Sequence, residues 1–289
     1  MRQPDFIIIG AMKCATSSLH EQLARQPGIF MTDPKEPDFF SDDQHYARGW
    51  GWYCSLFAAA APGDLCGESS THYTKLPTYP QTVGRMHASL PEIKLVYIMR
   101  HPIERLVSQY AHEWSVGAIA ADTDINVAVL KHPELVAYSR YSYQLQPYRD
   151  TLGRDRILPV FFERLLSAPQ DELTRICHFL DYRGTPTWAD LDAQNVSKER
   201  WRRTPLRQFL LDNPLLTELR RRLVPKTWRN RVRRSWTLKT QPKLDPQVII
   251  DLESLFDADL EILGEWLGLS LTCSTFKETA RTAVPNWVT

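Results

Sequence analysis

The sequence predicts an α/β fold with a central, mostly parallel sheet flanked by helices. Three apolar runs, at 5–9 (DFIII), 93–99 (IKLVYIM) and 156–162 (RILPVFF), have the length of strands buried on both faces. Each is followed by a stretch with helical spacing. Strands that alternate with helices pair in parallel and are covered on both sides.

The first run ends at Gly10, and a loop of small residues leads into a helix over 17–25, where Leu19 and Leu23 stand four apart. The second is followed by Arg100-His101-Pro102. Pro102 suits a first helical turn, and Ile103, Val107, Tyr110 and Trp114 form an apolar stripe at the 3.6 period. The third precedes Glu163 and a helix over 171–180. GESSTHY follows a short apparent strand. Residues 116–135 have weak periodicity and read as a loop or lid. Residues 195–240 are rich in Arg, Trp and Pro. From 245 an acidic amphipathic helix is expected to pack on the sheet as the last element. Ligands of such folds bind at the carboxyl ends of the strands, where Glu68, Arg100 and Glu163 are expected to gather.

A chain of 289 residues fits one α/β domain with its core at about 5–270. The net charge of +1 gives no global pull toward nucleic acid or membrane. In KERWRRTPLR and RRRLVPKTWRNRVRR, Arg and Trp interleave as in single-strand nucleic-acid surfaces. The acidic final helix balances that charge, and the stretch reads as a solvated face. The five cysteines are odd in number and scattered, with no C-x-x-C spacing. They read as reduced thiols in a cytoplasmic protein. The start has no signal peptide, its apolar run being cut by Gly10 and Lys13. No run approaches the ~20 apolar residues of a membrane span, so the chain is expected to be soluble. The oligomeric state is not legible.

The loop Gly10-Ala11-Met12-Lys13-Cys14-Ala15-Thr16-Ser17-Ser18 joins a buried strand to a helix. Small residues allow close backbone approach to an anion, and free amides at the helix start favour phosphate. The alternative is a plain strand-to-helix turn capped by Thr or Ser. The loop is not a Walker A motif, whose lysine comes at the end. The later strand ends in Arg100 rather than in an acid that helps to hold magnesium. The pattern points to a phosphate-rich nucleotide bound without a metal.

GAMKCATSSLHEQL, KEPDFF (35–40), GESSTHY (67–73), RHPIERLVSQY (100–110), the block from YSYQLQPY to CHFLDY, and NVSKERWRRTP together resemble the sulfotransferases that use 3′-phosphoadenosine 5′-phosphosulfate, PAPS. The likeness is to their bacterial and heparan-sulfate-type branch and covers about 5–270. It implies a P-loop-NTPase-like three-layer fold, with PAPS as donor and no metal. Lys13 matches the lysine at the phosphosulfate bridge. Cys14, Ala15, Thr16, Ser17 and Ser18 match the 5′-phosphate cradle, Arg100 and Ser108 the 3′-phosphate pair, and Glu36 the catalytic carboxylate. Ser197, Arg202 and Arg203 fall in the loop that closes over the 3′-phosphate. The chain departs from the pattern at Cys14-Ala15, at Asp38, where heparan-type relatives often carry His, and at Ser69, where they often carry Lys. Both of the latter remove positive charge, which favours a smaller or more apolar acceptor than a polyanionic sugar.

The implied reaction is in-line transfer of a sulfuryl group to a hydroxyl or amine of a small-molecule, lipid or carbohydrate acceptor. Lys13 is the candidate for the charge on the leaving phosphate, and Glu36 for the base. His20, His72 and His101 remain alternative bases. A P-loop-like kinase and a non-catalytic nucleotide- or nucleic-acid-binding protein are the competing readings. Phe39 and Phe40 are expected in the core. Trp50, Trp52 and Trp114 belong either to the core or to an acceptor pocket.

Overall fold

A computed structural model describes residues 1–189 and 242–288. Five strands, β1 (Phe6–Gly10), β2 (Ile29–Met31), β3 (Leu65–Ser69), β4 (Lys94–Met99) and β5 (Ile157–Phe161), form one sheet in the order β2-β3-β1-β4-β5. Every pairing is parallel. β1 and β5 are buried at every residue, as unbroken apolar runs require.

Helices α1 (Thr16–Ala24), α2 (Asp43–Ala47), α3 (Gly49–Ser55), α4 (Thr82–Ser89), α5 (Pro102–Val116), α6 (Ile125–Lys131), α7 (Glu134–Ala137), α8 (Tyr141–Leu152), α9 (Phe162–Ser167) and α10 (Pro169–Phe179) follow in chain order. After the undescribed stretch come α11 (Pro246–Leu267) and α12 (Phe276–Thr282). The β1–α1–β2 crossover runs toward one edge of the sheet, whereas β3–α4–β4 and β4–α8–β5 run toward the other. With right-handed crossovers, α1 covers one face and α4 and α8 the other. The direction reverses at β1, and in open α/β sheets the ligand crevice lies at that switch point, outside the strand ends.

Two compact units are distinguished. The first comprises Met1–Leu106, Glu134–Asp190 and Ile250–Thr289 and contains the whole sheet. The second has Val107–Pro133 and residues 242–249 as its described part.

Two sequence expectations are corrected. Residues 116–135 are not a plain loop, because α6 lies within them. Asp124 caps that helix by accepting from the Asn126 amide at 2.8 Å, a local signal that outweighs weak periodicity. The acidic helix α11 is not the last element, since α12 follows and packs on α9. α11 is fastened to the start of α8 instead: its buried Asp259 accepts from the Ser142 hydroxyl at 2.6 Å and the Ser142 amide at 3.0 Å.

Candidate active site

The loop after β1 is shaped by its backbone. Gly10 has φ +149°, and a Cβ there would stand 2.1 Å from Thr74 Oγ1. Only glycine lets the Thr74 hydroxyl reach Ile9 O, at 2.8 Å. The Ala11 amide donates to Ile98 O at 2.8 Å, tying the loop to β4. Lys13 and Ala15 are both left-handed, with φ 71° and 65°. Such residues, alternating with ordinary ones, turn successive amides toward one concavity. Ala15 is the N-cap of α1, and no side chain caps that helix start. Alanine there leaves the first amides for an external acceptor. Thr16 is buried, Ser17 exposed, and Lys13 and Ser18 half-buried. The Cys14 thiol is fully buried, and burial raises its pKa to about 12 against the lowering pull of Arg105 and Arg100. It is inert as a nucleophile.

Arg100 follows β4. Its guanidinium pairs with Glu104 at 2.9 Å and lies 4.8 Å from the Phe162 ring centre. Its Nε is buried without a hydrogen-bond partner among the described residues. The Tyr141 hydroxyl clamps the Arg100 backbone, accepting from its amide at 3.1 Å and donating to its carbonyl at 2.5 Å. The next amide, of His101, donates to Glu163 Oε1 at 3.0 Å, which holds the ends of β4 and β5 together. Arg105, missed in the sequence reading, is wholly buried; it bonds Ser139 Oγ at 2.5 Å and Leu135 O at 2.8 Å. The only sequence signal for it was a charge one turn past Arg100.

The KEPDFF loop docks on the end of β3, with the Glu36 amide donating to Ser69 O at 3.0 Å and the Asp38 amide to Ser70 Oγ at 3.1 Å. Glu36 Oε1 lies 2.6 Å from Lys35 Nζ and accepts from Thr71 Oγ1 at 3.3 Å. Burial works to raise the Glu36 carboxyl, but Lys35, Lys75 and His72 hold it below the ordinary value. His72, on the 3-10 turn Thr71–Thr74, sets Nδ1 3.3 Å from Asp38 Oδ2. His20, on α1, sets Nδ1 2.8 Å from Ser69 Oγ.

Glu68 does not gather with Arg100 and Glu163 as expected. It lies within β3, fully buried, and accepts from the hydroxyls of Tyr53, Ser70 and Tyr73 at 2.7, 2.8 and 2.9 Å. Burial, opposed by those hydroxyls, raises its carboxyl to about 7. Phe39 and Phe40 are in the core, and Phe39 stacks on Tyr53 at 4.5 Å. Trp50 and Trp52 are half-buried against Phe39. Trp114 is buried in the second unit, its indole donating to Ala121 O at 3.2 Å. His101 Nε2 is engaged with Cys273 O at 2.9 Å. Ser108 is a half-buried residue of the second unit. Ser197, Arg202 and Arg203 lie outside the described residues.

Residues 38–187 match the sulfotransferase family. The chain belongs to that family. The match takes in Arg100 and Ser108 but neither the loop after β1 nor Glu36. Heparan sulfate glucosamine 3-O-sulfotransferase 6 of Homo sapiens is 29% identical over 194 residues, covering 64% of this chain and 54% of that one. The chain thus spans about half the length of the curated relatives it matches. The membrane-associated sulfotransferase kil1 of Dictyostelium discoideum is 34% identical over 110 residues, 37% of this chain and 22% of that one. Among solved structures, the sulfotransferase from Alicyclobacillus acidocaldarius superposes with TM-score 0.57 at 24% identity, covering 79% of this chain and 100% of that one. That likeness concerns the fold and agrees with the expected three-layer sheet architecture.

The cytoplasmic placement is corrected. A membrane-associated sulfotransferase stands among the relatives. All five cysteines are free and buried. Among the described residues no helix is long and apolar enough to cross a membrane.

Proposed function

We propose that the chain is a PAPS-dependent sulfotransferase acting on a hydroxyl of a carbohydrate or other small acceptor. The observation that carries this is the uncapped start of α1, preceded by left-handed Lys13 and Ala15 and tied through Ala11 to the strand that ends at Arg100. Amides of this kind suit a phosphate, and a guanidinium at the neighbouring strand end suits a second one. The donor's two phosphate groups match two such sites at the carboxyl ends of the adjacent strands β1 and β4.

Bound PAPS would supply the sulfuryl group, with PAP, the desulfated donor product, leaving through its 5′-phosphate oxygen as the bond from that oxygen to sulfur breaks. The amides and hydroxyls of Cys14, Ala15, Thr16, Ser17 and Ser18 hold the 5′ side. Lys13 neutralises charge that grows on the leaving oxygen, which favours the transition state over the ground state. Arg100 holds the 3′-phosphate, with Ser108, Ser197, Arg202 and Arg203 assigned to the same end by family resemblance. Glu36, ionised beside Lys35, accepts the hydrogen bond of the acceptor's hydroxyl, orients it, and takes its proton as the oxygen bonds to sulfur. The carbohydrate class follows relatives named for heparan sulfate glucosamine.

Transfer of radiolabelled sulfate from PAPS to an acceptor panel, in buffer containing EDTA, tests the reading. Label in an acceptor and its loss in Lys13→Ala support it. No transfer from PAPS, with transfer of γ-phosphoryl label from magnesium-ATP in its place, supports a kinase.

A further inference from the structure

α1 leads out of the loop after β1, and its buried face carries Thr16 and His20, four residues apart. His20 is 9% exposed, and Ser69, the last residue of β3, is fully buried. His20 Nδ1 lies 2.8 Å from Ser69 Oγ. Ser69 also makes a contact through its backbone, where its carbonyl accepts from the Glu36 amide at 3.0 Å. A single buried serine thus joins the helix that begins at the phosphate loop to the carboxylate on the acceptor side.

Glu36 sits at φ 61°, a conformation that non-glycine residues keep where surrounding contacts impose it. Its carboxylate is held by Lys35 at 2.6 Å and Thr71 at 3.3 Å, and the Asp38 amide donates to Ser70 Oγ at 3.1 Å. Those contacts fix the loop against the end of β3, and His20 ties that end to α1. In-line transfer needs such a tie, because the attacking oxygen, the sulfur and the leaving oxygen must share one axis, and a misplacement of about 1 Å can cost about 10²-fold in rate. The imidazole brings no charge to the task. Burial and Lys35 press it down to about 4, although Asp33 and Glu36 pull the other way, so the ring is neutral at pH 7. A neutral ring whose Nδ1 is engaged with a buried hydroxyl supplies direction rather than electrostatic pull.

We infer that His20 is a positioning residue for the transfer: through Ser69 it sets the Glu36 carboxylate in register with the donor held at the start of α1. This rests on the sulfuryl-transfer reading of the same site. His20 touches neither donor nor acceptor in this role and acts on the rate only through Glu36.

The test is steady-state kinetics together with calorimetric titration of PAP on the full chain. The acceptor is a hexosamine disaccharide or, where another member of the acceptor panel takes more label, that one. His20→Ala is expected to lower kcat about tenfold or more and to leave PAP affinity unchanged. In a Glu36→Gln background the same change lowers kcat no further, since the residue acts through that carboxylate. His20→Asn, whose side-chain amide stands near the place of Nδ1, recovers most of the rate. Ser69→Ala repeats the loss in the same background-dependent way and, because it removes a single oxygen, decides alone if His20→Ala does not fold. An unchanged kcat, equal losses with and without the Glu36 carboxylate, an Asn variant no better than Ala, or PAP affinity that falls along with kcat overturns the inference. An unmodified chain that transfers no sulfuryl group to any acceptor overturns the donor reading and this inference with it, which keeps the two failures apart.

Discussion

Lys35 Nζ lies 2.6 Å from Glu36 Oε1, so the acceptor-side carboxylate carries its own counter-ion. That pair, with Lys75 and His72, holds the Glu36 carboxyl below its ordinary value against the raising effect of burial. It gives Lys35, the first residue of the KEPDFF motif, a defined task.

Lys35→Met is therefore expected to move the acid limb of the pH–rate profile upward. In the unmodified chain Glu36 loses its charge only below the ordinary glutamate value of about 4.3. Without the ammonium, burial is opposed only by Lys75 and His72, and protonation begins at higher pH. Initial rates from pH 4 to pH 8 check this. Glu36→Gln should lower kcat about 10²–10⁴-fold, the usual contribution of a positioned base, while PAP still raises the melting temperature.

Glu68 makes stability depend on pH. Its folded value, about 7, stands above that of an unfolded glutamate. The proton that it keeps in the fold contributes stability that is full below about pH 4.3 and is lost as the pH rises through about 7. Asp38, also raised to about 7, adds to the same trend. Urea unfolding at pH 5 and pH 8 should show this loss, and Glu68→Gln should flatten it.

Gly10→Ala should destabilise the fold by about 2 kcal/mol or more, since the new methyl collides with the Thr74 hydroxyl at positive φ. The readout is the urea midpoint at constant m. A variant as stable as the parent would show that the loop relaxes away from Thr74.

β1, β4 and β5 were legible because unbroken apolar runs have few other uses in a parallel sheet. β2 was not, being the three residues Ile29–Met31. β3, LCGES, was only glimpsed, because Gly67 and Glu68 are poor strand formers. Gly67 is there because a Cβ would strike the Phe6 ring at 2.2 Å, and Glu68 because three hydroxyls satisfy it. Both reasons are tertiary. The Lys13 loop, Arg100 and Glu36 each lie in a motif of contiguous residues, so they could be proposed from sequence. The meeting of Asp38 with His72, and of His20 with Ser69, could not, since parallel pairing and loop docking join residues far apart in the chain.

The account depends most on the carboxyl ends of the adjacent strands β1 and β4 holding both phosphates of the donor. Calorimetric titration of PAP in EDTA tests this directly. Binding without metal, weakened about tenfold or more by Lys13→Ala and by Arg100→Ala, is the predicted result, as expected for loss of a charge-assisted contact. PAP that fails to bind, or binds equally to all three proteins, would contradict it.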